Sequence, residues 1–273
     1  MRNPLFWIVL VILLAAAAGL YFWRQQAQRE QRLEPLPVHT AAAPEPRPEA
    51  STESQIGHPV PAVQLPPGAE AKPVPPLSES DEAMRESLAR LLGKQSFGAI
   101  FLPEDIVRRI VMTVDNLPRN KVATRPLPVK PPNGQTLTTG EGDLVWLSQA
   151  NYARYGSYVN LTRAVDARRL VAVYVHFYPL FQQAYQELGY PGRYFNDRLV
   201  EAIDDLLEAP EVQGTVKLVR PKVLYEFAAP ELEDLSAGQK LLIRMGPENA
   251  AVIKAKLREI RLELVTQPPS PRP

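Results

Sequence analysis

The chain of 273 residues contains no cysteine, which removes disulfides, thiol nucleophiles and cysteine-ligated metal sites in one step. Histidine is scarce too, and His39, His58 and His176 lie far apart. A metal site on His39 and His58 is therefore not expected, and His176, flanked by Val175 and Phe177, reads as a packed core histidine rather than a catalyst. Neither sign of charge prevails, since 31 Lys and Arg face 30 Asp and Glu for a net charge of +1. A nucleic-acid binder needs a clustered excess of Lys and Arg to neutralise phosphates, so no nucleic-acid partner is expected. A Gly-x-Ser-x-Gly elbow, a His-Glu-x-x-His zinc helix, a phosphate loop and a dinucleotide fingerprint are all missing. No cofactor, metal or catalytic residue is expected from these patterns. The lack of cysteine does not fix the compartment.

What the chain does have begins with an uncharged apolar run from Leu5 to Trp23. At 1.5 Å per residue, some 20 helical residues match a hydrocarbon core of about 30 Å. Pro4 suits a first helical turn, and Trp7, Tyr21, Phe22 and Trp23 suit the two interfacial belts. A cleaved signal peptide is the rival, because Ala16-Ala17-Ala18 resembles a cleavage site, but the apolar run continues through bulky aromatics beyond it. Arg24, Arg29 and Arg32 outnumber Arg2, which by the positive-inside rule places the large domain in the cytoplasm. The layout of short N-terminus, anchor and long Pro-rich spacer points the other way, to a domain outside the inner membrane. Between Pro35 and Pro76 lie twelve of the 29 prolines, which disfavours helices and a packed core. The expected organisation is a short tail (residues 1–4), a transmembrane helix (5–23), a Pro/Ala-rich disordered spacer (24–76), a mainly helical globular domain (77–265) and a disordered tail (266–273).

The fold class expected is mainly α, a compact multi-helix domain with a minor β hairpin or short extended segments. Ser78 and Asp81 have capping-box spacing ahead of Met84, Leu88, Leu91 and Leu92, with Gly93 as the stop. A second helix is expected from Pro103, carrying Ile106, Val107, Ile110, Val111 and Val114 and closing at Pro118. The Pro-rich stretch that follows reaches Asn133-Gly134, a tight-turn dipeptide with short strands possible on either side. Pro179 should kink or divide a helix near His176 to Tyr178. Thr215 to Phe227 mixes β-branched and aromatic residues around Pro221, the pattern of two extended pieces or an edge hairpin. The last helix carries Lys254, Lys256, Arg258 and Arg261 opposite an apolar face, a solvated stripe that acidic lipid or polymer could use.

The densest aromatic and polar cluster falls in Phe177 to Leu207, where a Gly189–Pro191 break separates two helical patterns. Asn196 or Asp197 can cap the second helix; alternatively Tyr194, Asn196, Asp197 and Arg198 form a recognition patch, since aromatic and Arg side chains concentrate at interface centres. Asp115, Asn116 and Arg119 either satisfy the end of the earlier helix or join that patch in one site.

The strings VDNLPR (Val114 to Arg119), FYPLFQQAYQELGYP (Phe177 to Pro191), FNDRLVEAID (Phe195 to Asp204) and LSAGQKLLIRMGPENA (Leu235 to Ala250) resemble those of domain-of-unknown-function family 3014. The resemblance covers roughly Pro75 to Leu264. It implies a membrane-anchored envelope protein of Gram-negative bacteria and brings no established catalytic residues.

Two functional classes follow. The first is a non-catalytic module, anchored in the bacterial inner membrane with its large domain in the periplasm, that binds another envelope protein or cell-wall polymer. The second is a wall-polymer hydrolase or lyase using paired carboxylates, for which Asp115, Asp197 and Glu201 or Asp204 are the candidates.

Overall fold

Most of the chain's local structure follows the three- and four-residue recurrence of its apolar side chains. The computed structural model describes residues 56–61, 73–120, 127–142 and 144–266, all within one unit spanning Thr52–Pro273. A 3-10 turn at Leu77–Glu79 leads into α1 (Asp81–Leu92), which breaks at Gly93 before α2 (Lys94–Ile100). Ser80, not Ser78, holds the N-cap position of α1. The Asp81 carboxylate turns to the next helix instead, accepting from the amides of Asp105 at 2.8 Å and Ile106 at 2.9 Å. Those two bonds explain why α3 (Ile106–Asn116) starts later than Pro103, with Asp105 in the left-handed region at φ 51.

The irregular stretch then makes β1 (Thr138–Thr139) and β2 (Val145–Leu147), but the turn between them is built on Gly140 and Gly142. Asn133-Gly134 joins no strands. Its carbonyls are gripped by Arg154, whose Nε donates to Asn133 at 3.1 Å and Nη2 to Gly134 at 2.8 Å. A 3-10 helix at Gln149–Tyr155 precedes α4 (Gly156–Ala164) and α5 (Ala167–His176). The division near Pro179 falls at Phe177, where α6 (Tyr178–Glu187) begins. After α7 (Phe195–Leu207) come β3 (Lys217–Val219), β4 (Glu226–Phe227), α8 (Pro230–Glu233), α9 (Ala237–Met245) and α10 (Pro247–Thr266). The fold is mainly helical. The expected hairpin is β3–β4, and it belongs to a larger antiparallel sheet of order β1-β2-β3-β4, with Val145 opposite Leu218 and Leu218 opposite Phe227.

Apolar burial falls into neighbouring clusters. The largest gathers Met84, Phe97, Ile106, Val111, Phe181 and Phe195 from α1, α2, α3, α6 and α7, with the Phe181 and Phe195 rings stacked at 5.7 Å. A second packs Leu147, Leu218 and Phe227 of the sheet on Ile243 of α9. Helix α10 closes the domain by packing on α4, α5, α7 and α9. Its basic stripe is not a free cationic face. Lys254 is buried and donates to the Ala209 carbonyl, Lys256 pairs with Glu259, and Arg261 pairs with Asp204.

Among the described residues no helix is long and apolar enough to cross a membrane. The expected transmembrane segment at 5–23, most of the spacer at 24–76 and residues 267–273 lie outside them. Residues 56–61, within the expected spacer range, are among the described residues. Residues 56–61 sit on the domain with Pro61 buried, because the N-terminal turn of α7 offers partners for their backbone.

Two outcomes follow from this packing. Gly246 has φ +85, and a Cβ there would lie 2.5 Å from the Tyr152 ring. Gly246→Ala should lower unfolding free energy by about 2 kcal/mol or more, combining left-handed strain with overpacking. Gly134→Ala, at φ +77 with open space around it, should cost about 1 kcal/mol. Urea titrations of both variants check this. Separately, buried Lys240 donates to Glu233 Oε1 at 2.9 Å and to the Glu233 carbonyl at 2.7 Å. Burial pushes the Glu233 carboxyl up, but the hydrogen bonds from Lys240 and the Phe227 amide, with the charges of Lys240 and Arg244, outweigh it and hold the pKa below the ordinary glutamate value. A depressed folded pKa contributes stability that is complete above the unfolded value near ~4.3 and is lost as pH falls through the folded value. Thermal melts across that acid range should show Glu233→Gln destabilised at neutral pH and less sensitive to acid than wild type.

Candidate functional site

The C-terminal turn of α3 packs against the start of α7, and this contact brings together three residues singled out in the sequence. Asp115 is the hub, 4% exposed. Arg119 Nη2 lies 2.6 Å from its Oδ2, and Arg198 Nε lies 3.2 Å from its Oδ1. The Arg198 contact is electrostatic, because its buried Nε lacks the alignment of a hydrogen bond. Arg198 also donates from Nη2 to the Asp115 carbonyl and pairs through Nη1 with Glu201 Oε1 at 2.7 Å. The Tyr190 hydroxyl completes the group, accepting from Arg119 Nη2 at 2.6 Å and donating to Asp115 Oδ2 at 3.3 Å. Its ring stacks on Tyr185 at 4.6 Å.

This is a closed charge lattice. Burial works against the Arg198 charge, yet the hydrogen bond to Glu201 and the carboxylates of Glu201 and Asp115 more than offset it, so its pKa stands above the ordinary arginine value. Burial first, and then the Asp115 charge, raise the Tyr185 phenol against the opposing pull of Arg198. Arg198 is thus a fixed cation and Tyr185 a neutral phenol in a lattice whose outer edge is Arg119, Tyr190 and Glu201.

The other half of the candidate patch separates from this lattice. Asn196 is fully buried, accepts from the Tyr174 hydroxyl at 2.9 Å and donates to the His58 carbonyl at 2.9 Å. Asp197 accepts from the Gly57 amide at 3.2 Å and the His58 amide at 2.6 Å. Tyr194 stands just ahead of the helix at the N-cap position without capping it through its side chain, and Gln182 Oε1 takes the Phe195 amide at 2.9 Å. Burial raises Tyr174 well above the ordinary phenol value, with Tyr178 and Asp197 adding to it. Burial likewise pushes Tyr178 up to about 12, against a hydrogen bond at the Asn196 backbone and with the Asp197 and Tyr194 charges. Both phenols remain donors at neutral pH.

The seven candidates therefore divide. Asp115, Arg119 and Arg198 meet; Asn196 and Asp197 form a neighbouring pair; Tyr194 precedes α7 at its N-cap position. Asn116 does not join, because its amide donates to Met112 O at 2.6 Å on its own helix. Sequence reasoning left Tyr174 and Tyr190 out of the candidate patch, and with them Gly57 and His58. For Gly57 and His58 the sequence carried no distinguishing signal, since no periodicity marks a segment held by its backbone. Away from the site, a cavity of about 30 Å³ lies between Tyr152, Pro210, Val216 and Lys254. Among the described residues no group of three or more metal-ligating side chains is gathered.

Fold and site together define a mainly helical domain whose central polar cluster is satisfied by its own ion pairs. The sequence model of the family described as "Protein of unknown function (DUF3014)" matches residues 106–261, and the chain belongs to that family. The match spans Asp115 through Arg261, including both polar groups, and leaves out residues 56–61. No curated protein and no solved structure matches the chain.

Removing one partner of a buried ion pair strands the other charge at about 3 kcal/mol, whereas an exposed pair is worth less than about 1 kcal/mol. Asp115 and Arg198 side chains are 6% and 14% exposed and Arg119 is 48% exposed. Asp115→Asn should therefore destabilise strongly and Arg119→Ala only slightly, as read by chemical denaturation.

Proposed function

We propose that the domain is a non-catalytic interaction module of the bacterial envelope, tethered to the inner membrane by residues 5–23 and displayed on the periplasmic side. The observation that carries this reading is the engagement of every carboxylate offered for chemistry. Asp115 is held by Arg119, Arg198 and Tyr190, Glu201 by Arg198, Asp204 by Arg261, and Asp197 by two backbone amides. Acid–base work on a polymer calls for two carboxylates across a cleft with pKa values set apart, and these residues are instead joined to partners inside the domain. What the lattice offers outward is a rigid edge of arginine, tyrosine and glutamate, the side-chain chemistry that interface centres favour with little ordering left to lose on binding.

In-cell cross-linking and capture of tagged full-length protein tests this. Wild type should capture a discrete envelope partner that Arg119→Glu, which leaves the buried Asp115–Arg198 pair in place, loses while remaining folded. Unchanged capture by the variant, or no reproducible partner, would remove the reading.

A further inference from the structure

Asn196 and Asp197 read a peptide backbone and little else. The two oxygens of one carboxylate take two successive amides, those of Gly57 and His58, and the neighbouring carboxamide returns a donor to the His58 carbonyl. Among the described residues the same grip recurs where Asp81 holds the Asp105 and Ile106 amides, but there it fixes the start of a helix. At Asp197 it holds a segment 139 and 140 positions earlier in the chain. The reader is built in advance. Asn196 is fully buried, and Tyr174 fixes its carboxamide by donating to Oδ1, leaving Nδ2 aimed at the peptide.

The bound segment fits by what it lacks. A Cβ at position 57 would lie 3.3 Å from Asp197 Oδ1, tighter than an ordinary contact, so a branched side chain there presses on the carboxylate and weakens its hold on the segment. Pro61 is buried at its far end, and eleven residues, 62–72, separate it from the next described residue, Pro73. No bond in the contact depends on the segment and the cradle sharing one chain.

We propose that the Tyr174–Asn196–Asp197 cradle is a binding site for an extended, glycine-containing peptide, and that its partner in trans is the Ile56–Pro61 arm of a second copy of this chain. Each copy keeps its own cradle filled in cis; exchanging arms links two copies through identical bonds, the arrangement that segment swapping produces at low cost. A short tether presents the cis arm at an effective concentration on the order of millimolar, so exchange is favoured where copies are crowded, as on a membrane. The proposal shares the interaction reading above but uses a different face, so the Arg119 experiment and the one below can fail separately.

Two differently tagged full-length chains test it. Gly57→Val spoils the arm and keeps the cradle; Asp197→Ala spoils the cradle and keeps the arm, with Asp197→Asn in reserve if the alanine variant does not fold. The mixture of unlike chains should co-purify several-fold above either variant mixed with itself. A labelled peptide covering residues 54–63 should bind Gly57→Val, bind wild type at least about tenfold more weakly because the cis arm competes, and fail to bind the Gly57→Val/Asp197→Ala double variant. Peptide binding without pairing of the unlike chains would confine the arm to its own chain and overturn the exchange. Binding that persists in the double variant, or that is absent from Gly57→Val, would overturn the site itself.

Discussion

The domain depends on one buried ion pair, Asp115 with Arg198, which ties the end of α3 to the start of α7. Charges at such low exposure are tolerated only when paired and hydrogen-bonded, and the surrounding residues supply those partners. Arg119 neutralises the second carboxylate oxygen, Tyr190 bridges the two, and Glu201 takes the remaining face of Arg198. Because α3 and α7 are fixed relative to each other, the aromatic layer beneath them is fixed as well. Phe181 stacks on Phe195, and Tyr174 tilts against Phe181 at 5.4 Å. Placement of Tyr174 in turn orients Asn196. The polar lattice and the peptide cradle are thus two outlets of the same packing decision.

Other cations in the fold are held by oxygen partners as well, Lys240 and Lys254 buried and Arg244 half-buried. Lys240 is held by Glu233, Lys254 by the Ala209 carbonyl, and Arg244 donates to the Tyr225 carbonyl while lying 4.5 Å over the Phe227 ring. These contacts tie α9 to α8 and to the β4 edge of the sheet, and α10 to the residues just after α7. On the last helix, Lys254 with the Lys256–Glu259 and Arg261–Asp204 pairs takes up three of the four basic residues that a helical projection presents to solvent. A helix of mixed charge read alone therefore overstates the cationic surface available to lipid or polymer.

Element type was legible wherever apolar spacing was regular. The helices around Met84, Val107, Phe181 and Ile203 stand where their periodicity places them, and Pro179 divides α5 from α6 because its ring cannot sit inside a helix. The β3–β4 hairpin was legible from its β-branched residues. Its pairing with β2 was not, since strand neighbours separated by a 3-10 helix and four α-helices leave no local mark. Helix starts also moved. Asp81 carries the signature of a cap for its own helix yet caps α3, because a carboxylate cannot show in sequence which exposed amides lie within 3 Å of it.

The candidate site divides along the same line. Residue types and spacing by themselves determined that Asp115, Arg119, Asn196, Asp197 and Arg198 would stand at helix ends, where polar groups must find partners. Only the tertiary structure decided which partners those would be: Asn116 folds back on its own helix, Asp115 takes two guanidiniums, and Asp197 reaches a glycine and a histidine from the Pro-rich N-terminal region. The physical reason is that a helix fixes its side chains through neighbours three and four residues away, whereas ion pairs and backbone-reading hydrogen bonds form between groups that only the packing of whole elements brings within reach.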